Sequence, residues 1–112
     1  MSTKLQPTAL ESALLSEFHT LYASEGFPPP EQVSLLSREN TGGGRYLDLS
    51  APGAAMERDG YLDLGGKFIE IDGVPNGLMA VVLINEGQPK ILELTVYGGD
   101  YWDGAERQWA LK

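Results

Sequence analysis

Three consecutive prolines, Pro28-Pro29-Pro30, divide the chain into two stretches with different hydrophobic periods. Proline fixes φ, donates no backbone hydrogen bond and pushes the residue before it out of the α region, so no helix crosses such a run. A helix must end before residue 28, and the chain beyond residue 30 must begin a new element. The run itself is expected to be a stiff, extended connector over residues 27–30.

The first stretch reads as a helix over about residues 8–25. Thr8-x-x-Glu11 has the form of a capping box, in which each side chain satisfies a free N–H of the first turn. Leu10, Leu14, Phe18, Leu21 and Tyr22 then recur along one helical face. Gly26 supplies a left-handed stop.

The second stretch, about residues 32–97, reads as sheet. Residues 32–40 place Val33 and Leu35 on one side and Leu36 and Arg38 on the other. After Thr41-Gly42-Gly43-Gly44, residues 45–50 alternate again through Leu47 and Leu49, which is a hairpin signature. Residues 51–60 are polar and read as a loop with a helical turn at 54–58. Tyr61-Leu62-Asp63-Leu64 and Phe68-Ile69-Glu70-Ile71 flank Gly65-Gly66, as one bulged strand or as two strands. Asp72-Gly73 and Pro75-Asn76-Gly77 mark a turn. Leu78–Ile84 is apolar on both faces, so its second face should be covered by the tail or by a partner. Residues 85–89 turn the chain, and residues 91–97 direct Leu92, Leu94 and Val96 inward. Tyr46-Leu47-Asp48-Leu49 and Tyr61-Leu62-Asp63-Leu64 echo one another, as two strands under one burial pattern would. The expectation is one α+β domain over 1–112. It has an N-terminal helix packed on a mainly antiparallel sheet of about five strands, with an irregular aromatic tail at 98–112.

Composition narrows the chemistry. Without cysteine there are no disulfides, thiolate metal sites or thiol nucleophiles, which fits a reducing cytoplasm. Residues 1–7 show no signal-peptide pattern. The longest apolar run, residues 78–84, is far short of the ~20 needed to span a bilayer, so no membrane association is expected. Sixteen acids oppose eight bases for a net charge of −8, and the bases do not cluster. Nucleic acid is therefore an improbable ligand, whereas a basic protein partner is electrostatically compatible.

The lone histidine, His19, falls about 110° from the centre of the apolar stripe, so it reads as a flank or surface residue. No Gly-x-Ser-x-Gly elbow accompanies it. Gly42-Gly43-Gly44 leads into a strand rather than a helix, so it reads as a turn and not a phosphate cradle. No catalytic residue, metal or cofactor is expected. Two groups remain as candidate binding residues. Glu70 and Glu93 would form a paired-carboxylate site if they faced one another on a concave sheet surface. Tyr97, Asp100, Tyr101, Trp102, Asp103 and Trp109 gather both tryptophans of the chain around glycines. They serve either as a plug for the core or as a contact patch, and burial of Trp102 with exposure of Tyr101 would reconcile the two.

Gly65-Gly66-Lys67-Phe68-Ile69-Glu70, Gly73-x-x-Asn76-Gly77, and Leu92-Glu93 leading into Tyr97-Gly98 and Trp102-Asp103-Gly104 resemble a group of small bacterial proteins without assigned function. The resemblance covers about half the chain and transfers no catalytic residue. Some small acidic proteins of this general look are immunity partners of secreted toxins. The expected role is thus non-enzymatic protein binding, of immunity type in its sharpest form, with a homodimer as a further option. The alternative is a small-molecule-binding domain or minor hydrolase using the sheet carboxylates.

Overall fold

The computed structural model describes residues 5–112. Thr8 caps helix α1 (Ala9–Tyr22) through the expected reciprocal box: the Glu11 N–H donates to Thr8 Oγ1 at 3.1 Å, and the Thr8 N–H donates to Glu11 Oε1 at 3.0 Å. A 3₁₀ turn, Ala23–Glu25, extends it to left-handed Gly26. The buried face is Leu10, Glu11, Leu14, Leu15 and Phe18, so the stripe is rotated from the expected one. Leu15 replaces Leu21, which lies at the rim over Gly65. Each fully buried leucine or phenylalanine on this face contributes roughly 1.5–3 kcal/mol of transfer free energy. His19 is half-buried at the helix flank, where its Nδ1 lies 2.9 Å from the Phe27 carbonyl oxygen and donates to it.

Seven strands come after the helix: β1 (Ser34–Asn40), β2 (Gly44–Ser50), β3 (Gly60–Asp63), β4 (Ile69–Ile71), β5 (Val74–Asn85), β6 (Gln88–Val96) and β7 (Trp109–Leu111). All pairings are antiparallel in the order β1-β2-β6-β5-β4-β7, with β3 also on β5. The α+β expectation holds, with seven strands in place of about five. One extra strand is β7, hidden in a tail that reads as irregular. The other comes from the break at Gly65-Gly66. The segment 54–58 forms no helical turn; it is an irregular crossing anchored by the Met56 N–H on the Gly87 carbonyl at 2.8 Å. β5 also begins earlier than expected, at Val74, and passes through Pro75-Asn76-Gly77.

The inward face of the sheet carries Leu35, Leu47, Leu49, Leu62, Ile69, Ile71, Leu78, Ala80, Val82, Ile84, Leu92 and Leu94, which form the core together with α1. A β-bulge between Leu35 and Ser37 changes the facing of β1. Leu36 is extruded to solvent, and Arg38 takes the same side as Leu35, contrary to simple alternation. Gly44 is required by packing: a Cβ there would lie 1.8 Å from the Leu94 carbonyl oxygen on the neighbouring strand. The glycine run is therefore a hairpin tip pressed against β6. Among the described residues no helix is long and apolar enough to cross a membrane.

Candidate functional site

The tail is fixed by a buried charge cluster on the helix side of the sheet. Arg45 is 3 % exposed and Glu11 fully buried. Arg45 Nη1 donates to Glu11 Oε2 at 3.0 Å and to Glu106 Oε2 at 2.6 Å, Nη2 to the Gly104 carbonyl at 2.7 Å, and Nε to Asn40 Oδ1 at 2.7 Å. Arg38, brought inward by the bulge, donates from Nε and Nη2 to the two Glu11 oxygens at 2.7 and 2.5 Å. Burial pushes the Glu11 carboxyl upward. The Arg38 hydrogen bonds, the Thr8 N–H and the two guanidinium charges outweigh that, so its pKa lies below the ordinary glutamate value. This carboxylate is held charged and saturated, which suits a structural role.

The same cluster explains most of the aromatic tail. Trp102 is 1 % exposed beneath Arg45, its Nε1 donating to the Ala105 carbonyl at 2.9 Å and its N–H to the Gly42 carbonyl at 2.9 Å. Asp100 Oδ2 accepts from the N–H and Nδ2 of Asn76 at 3.0 and 3.1 Å. Asp103 binds Arg107 through both oxygens at 3.0 and 2.8 Å and accepts from the Ala105 N–H; these bonds hold its carboxyl well below the usual range. Trp109 is half-buried in β7 against the core. These four side chains are thus engaged within the fold, whereas Tyr97 and Tyr101 are exposed, Tyr101 lying over Gly42.

Among the described residues no second layer packs on the other face of the sheet. The tail packs on the helix side, so it does not cover the outward residues of β5, and Val81 and Leu83 remain half-exposed. The expected cover over both faces of β5 is absent within the described chain. Register places Glu39, Tyr46, Glu93 and Val81 in one row across β1, β2, β6 and β5. A second row is Ser37, Asp48, Ile91, Leu83 and Tyr61, and a third pairs Thr95 with Met79. Tyr46, Tyr61 and Met79, three of the large apolar or aromatic side chains exposed in this structure, lie on this face, and exposed Tyr97 follows directly on β6. Glu93 beside Tyr46 raises the phenol above its ordinary pKa, with smaller contributions from Tyr61 and Glu39.

Charge is distributed unevenly between the two sides. Of the seven described bases, five are in ion pairs: Arg38 and Arg45 with Glu11, Arg45 also with Glu106, Arg58 with Glu25, Lys67 with Glu17, and Arg107 with Asp103. Glu39, Asp48 and Glu93 on the open face are in no ion pair among the described residues.

Glu70 and Glu93 are brought into different parts of the sheet. Glu70 pairs with Ala110 toward the β7 edge and lines a groove of about 610 Å³ with Asp72, Pro75, Gln108 and Trp109. Glu93 sits at the centre, opposite Tyr46 and Val81. A notch of about 560 Å³ opens where β3 gives way to β4. Asp63 stands opposite Val81 and Ile69 opposite Leu78, so the five residues 64–68 face only Met79 and Ala80 and must bulge away. Gly65 and Gly66, at φ +65° and +89°, supply the left-handed turn.

The sequence reading missed Tyr46, Tyr61 and Met79. The signal was present in the Tyr-Leu-Asp-Leu echo, because each copy buries its leucines and exposes its tyrosine. Comparison with protein-family models, curated proteins and solved structures found no match to this chain.

Proposed function

We propose that the domain acts by contact, as a non-enzymatic protein-binding module whose open sheet face receives a basic protein partner, with an immunity-type role as the sharpest form of that reading. The observation carrying it is the bare second face, where tyrosines and Met79 alternate with carboxylates that are in no ion pair among the described residues. A contiguous exposed patch of this composition is characteristic of an interaction surface. A second copy is a poor occupant, since five of the seven described bases are already paired and a two-fold contact would set acid against acid.

A paired-carboxylate reaction gains no support from this geometry. Glu70 and Glu93 occupy different rows, and the carboxylate that is buried, Glu11, is fully hydrogen-bonded to arginine. The test is site-specific photo-crosslinking from position 46 in the native host, with position 24 at the helix end as control. A stoichiometric basic protein captured at 46 alone, and lost in Glu93→Gln, is the expected result. No such protein, together with turnover of a small molecule by the purified domain, would sink the reading.

A further inference from the structure

The notch at the β3–β4 break continues the open face, because Met79 belongs to both and Tyr97, just past β6, lines the notch beside it. Its lining is otherwise Leu64, Phe68 and Ala80, with Asp63, Gly66, Lys67 and Asn76 at the margins. The one cation in that lining is turned aside, since the Lys67 ammonium is paired with Glu17 on α1. Asn76 is likewise occupied by Asp100. The result is a mostly apolar recess, built by the excess of chain over the two β5 residues it spans, beside a surface that is acidic.

We infer that notch and face form one two-part docking site for an extended segment of another protein, in which a large apolar side chain enters the notch and a neighbouring arginine or lysine meets the Glu39–Tyr46–Glu93 row. This rests on the protein-contact reading above and names the chemistry of the partner. Register sets the spacing. Met79 lies two residues along β5 from Val81, and Glu93 and Tyr46 stand one and two strands to the side of Val81, so about 8 and 12 Å of sheet separate them from Met79 at ordinary strand rise and spacing. An extended segment covers about 7 Å in two residues and about 10 Å in three, and the long side chain of an arginine or lysine makes up the remainder, so the anchor and the cation should stand at i and i+2 or i+3. The ring of Tyr46, flanked on either side by a carboxylate, offers a cation both a π face and counter-charge. A strand-edge partner without basic residues would leave the carboxylates desolvated and unpaired, which disfavours it.

The experiment is an NMR titration of the intact chain with three blocked tripeptides, N-acetyl-Leu-Ala-Arg amide, N-acetyl-Ala-Ala-Arg amide and N-acetyl-Leu-Ala-Glu amide. The first should shift signals of Leu64, Phe68, Met79 and Tyr97 together with Tyr46 and Glu93. Replacing its leucine by alanine should weaken binding about tenfold, from lost apolar burial. Replacing its arginine by glutamate should weaken it at least about threefold, with an effect that fades as salt is added. Met79→Asp should abolish the notch shifts and Glu93→Gln the preference for arginine. Both positions are surface-accessible, and circular dichroism would verify that each variant folds. Equal binding of the arginine and glutamate peptides, or shifts that bypass the notch, would overturn the inference. If a protein still crosslinks at position 46 in that event, the contact reading stands and the two-part site alone falls.

Discussion

The Arg45 guanidinium carbon stands 4.6 Å from the centre of the Trp102 ring, and the same side chain joins Glu11 of the first helical turn to Glu106 of the tail. One residue therefore holds three distant parts of the chain together. Removing it alone leaves Glu11 buried with less compensation, a situation that costs about 3–5 kcal/mol. Arg45→Met should lower the urea unfolding free energy by about that amount, and the double variant with Glu11→Met should lose less than the two single effects combined. Additive losses would show that the pair is not coupled.

Acid sensitivity should arise from Glu11. Its folded pKa is depressed, so its stabilising contribution is complete above the ordinary glutamate range and disappears as pH falls through the folded value. The melting temperature should drop as pH is lowered from 7 toward 3. Glu11→Gln should melt lower at pH 7 yet show a flatter dependence. Parallel curves for the two proteins would assign the acid response to other carboxylates.

The Tyr46 phenol should titrate above an ordinary tyrosine. The negative charge of Glu93 disfavours the phenolate, so Glu93→Gln should bring the ionisation down toward ~10, while Glu39→Gln should have a smaller effect. Ultraviolet or NMR titration of the ring reads this directly. A Tyr46 indifferent to Glu93→Gln would mean that the two side chains do not meet.

Tail and face should respond oppositely to truncation. Trp102→Ala empties a buried site and should cost about 3–5 kcal/mol, whereas Tyr46→Ala and Met79→Ala should change stability by only about 0.5 kcal/mol. Denaturant melts of the three variants check it. A large loss at Tyr46 or Met79 would show that the open face contributes to the fold itself.

The helix and the alternation of the strands were legible because a capping box, a proline run and a two-residue period are local signals. Thr8, Glu11 and Gly26 announced the start and stop of α1, and Leu92, Leu94 and Val96 faced inward as their spacing required. The facing of Arg38 was not legible, since one bulged residue at Leu36 reverses everything after it until the next turn. β7 was hidden because three residues gain strand geometry only from β4 beside them. The tail divided along the line its composition allowed, with Trp102 inside and Tyr101 outside. The open face escaped notice because Tyr46, Tyr61 and Met79 come from three separate strands, and only the order β2-β6-β5, with β3 on β5, gathers them.

The bond between the Leu10 N–H and Glu106 Oε1, 3.4 Å long, links residues 96 positions apart. A ribosome makes the helix long before it makes this counterpart. Until residues 102–111 emerge, Arg45 lacks Glu106, the Trp102 site is vacant and the outer edge of β4 has no neighbour. The nascent domain must therefore wait with its interior ajar, and that interval is when holding by chaperones would matter most.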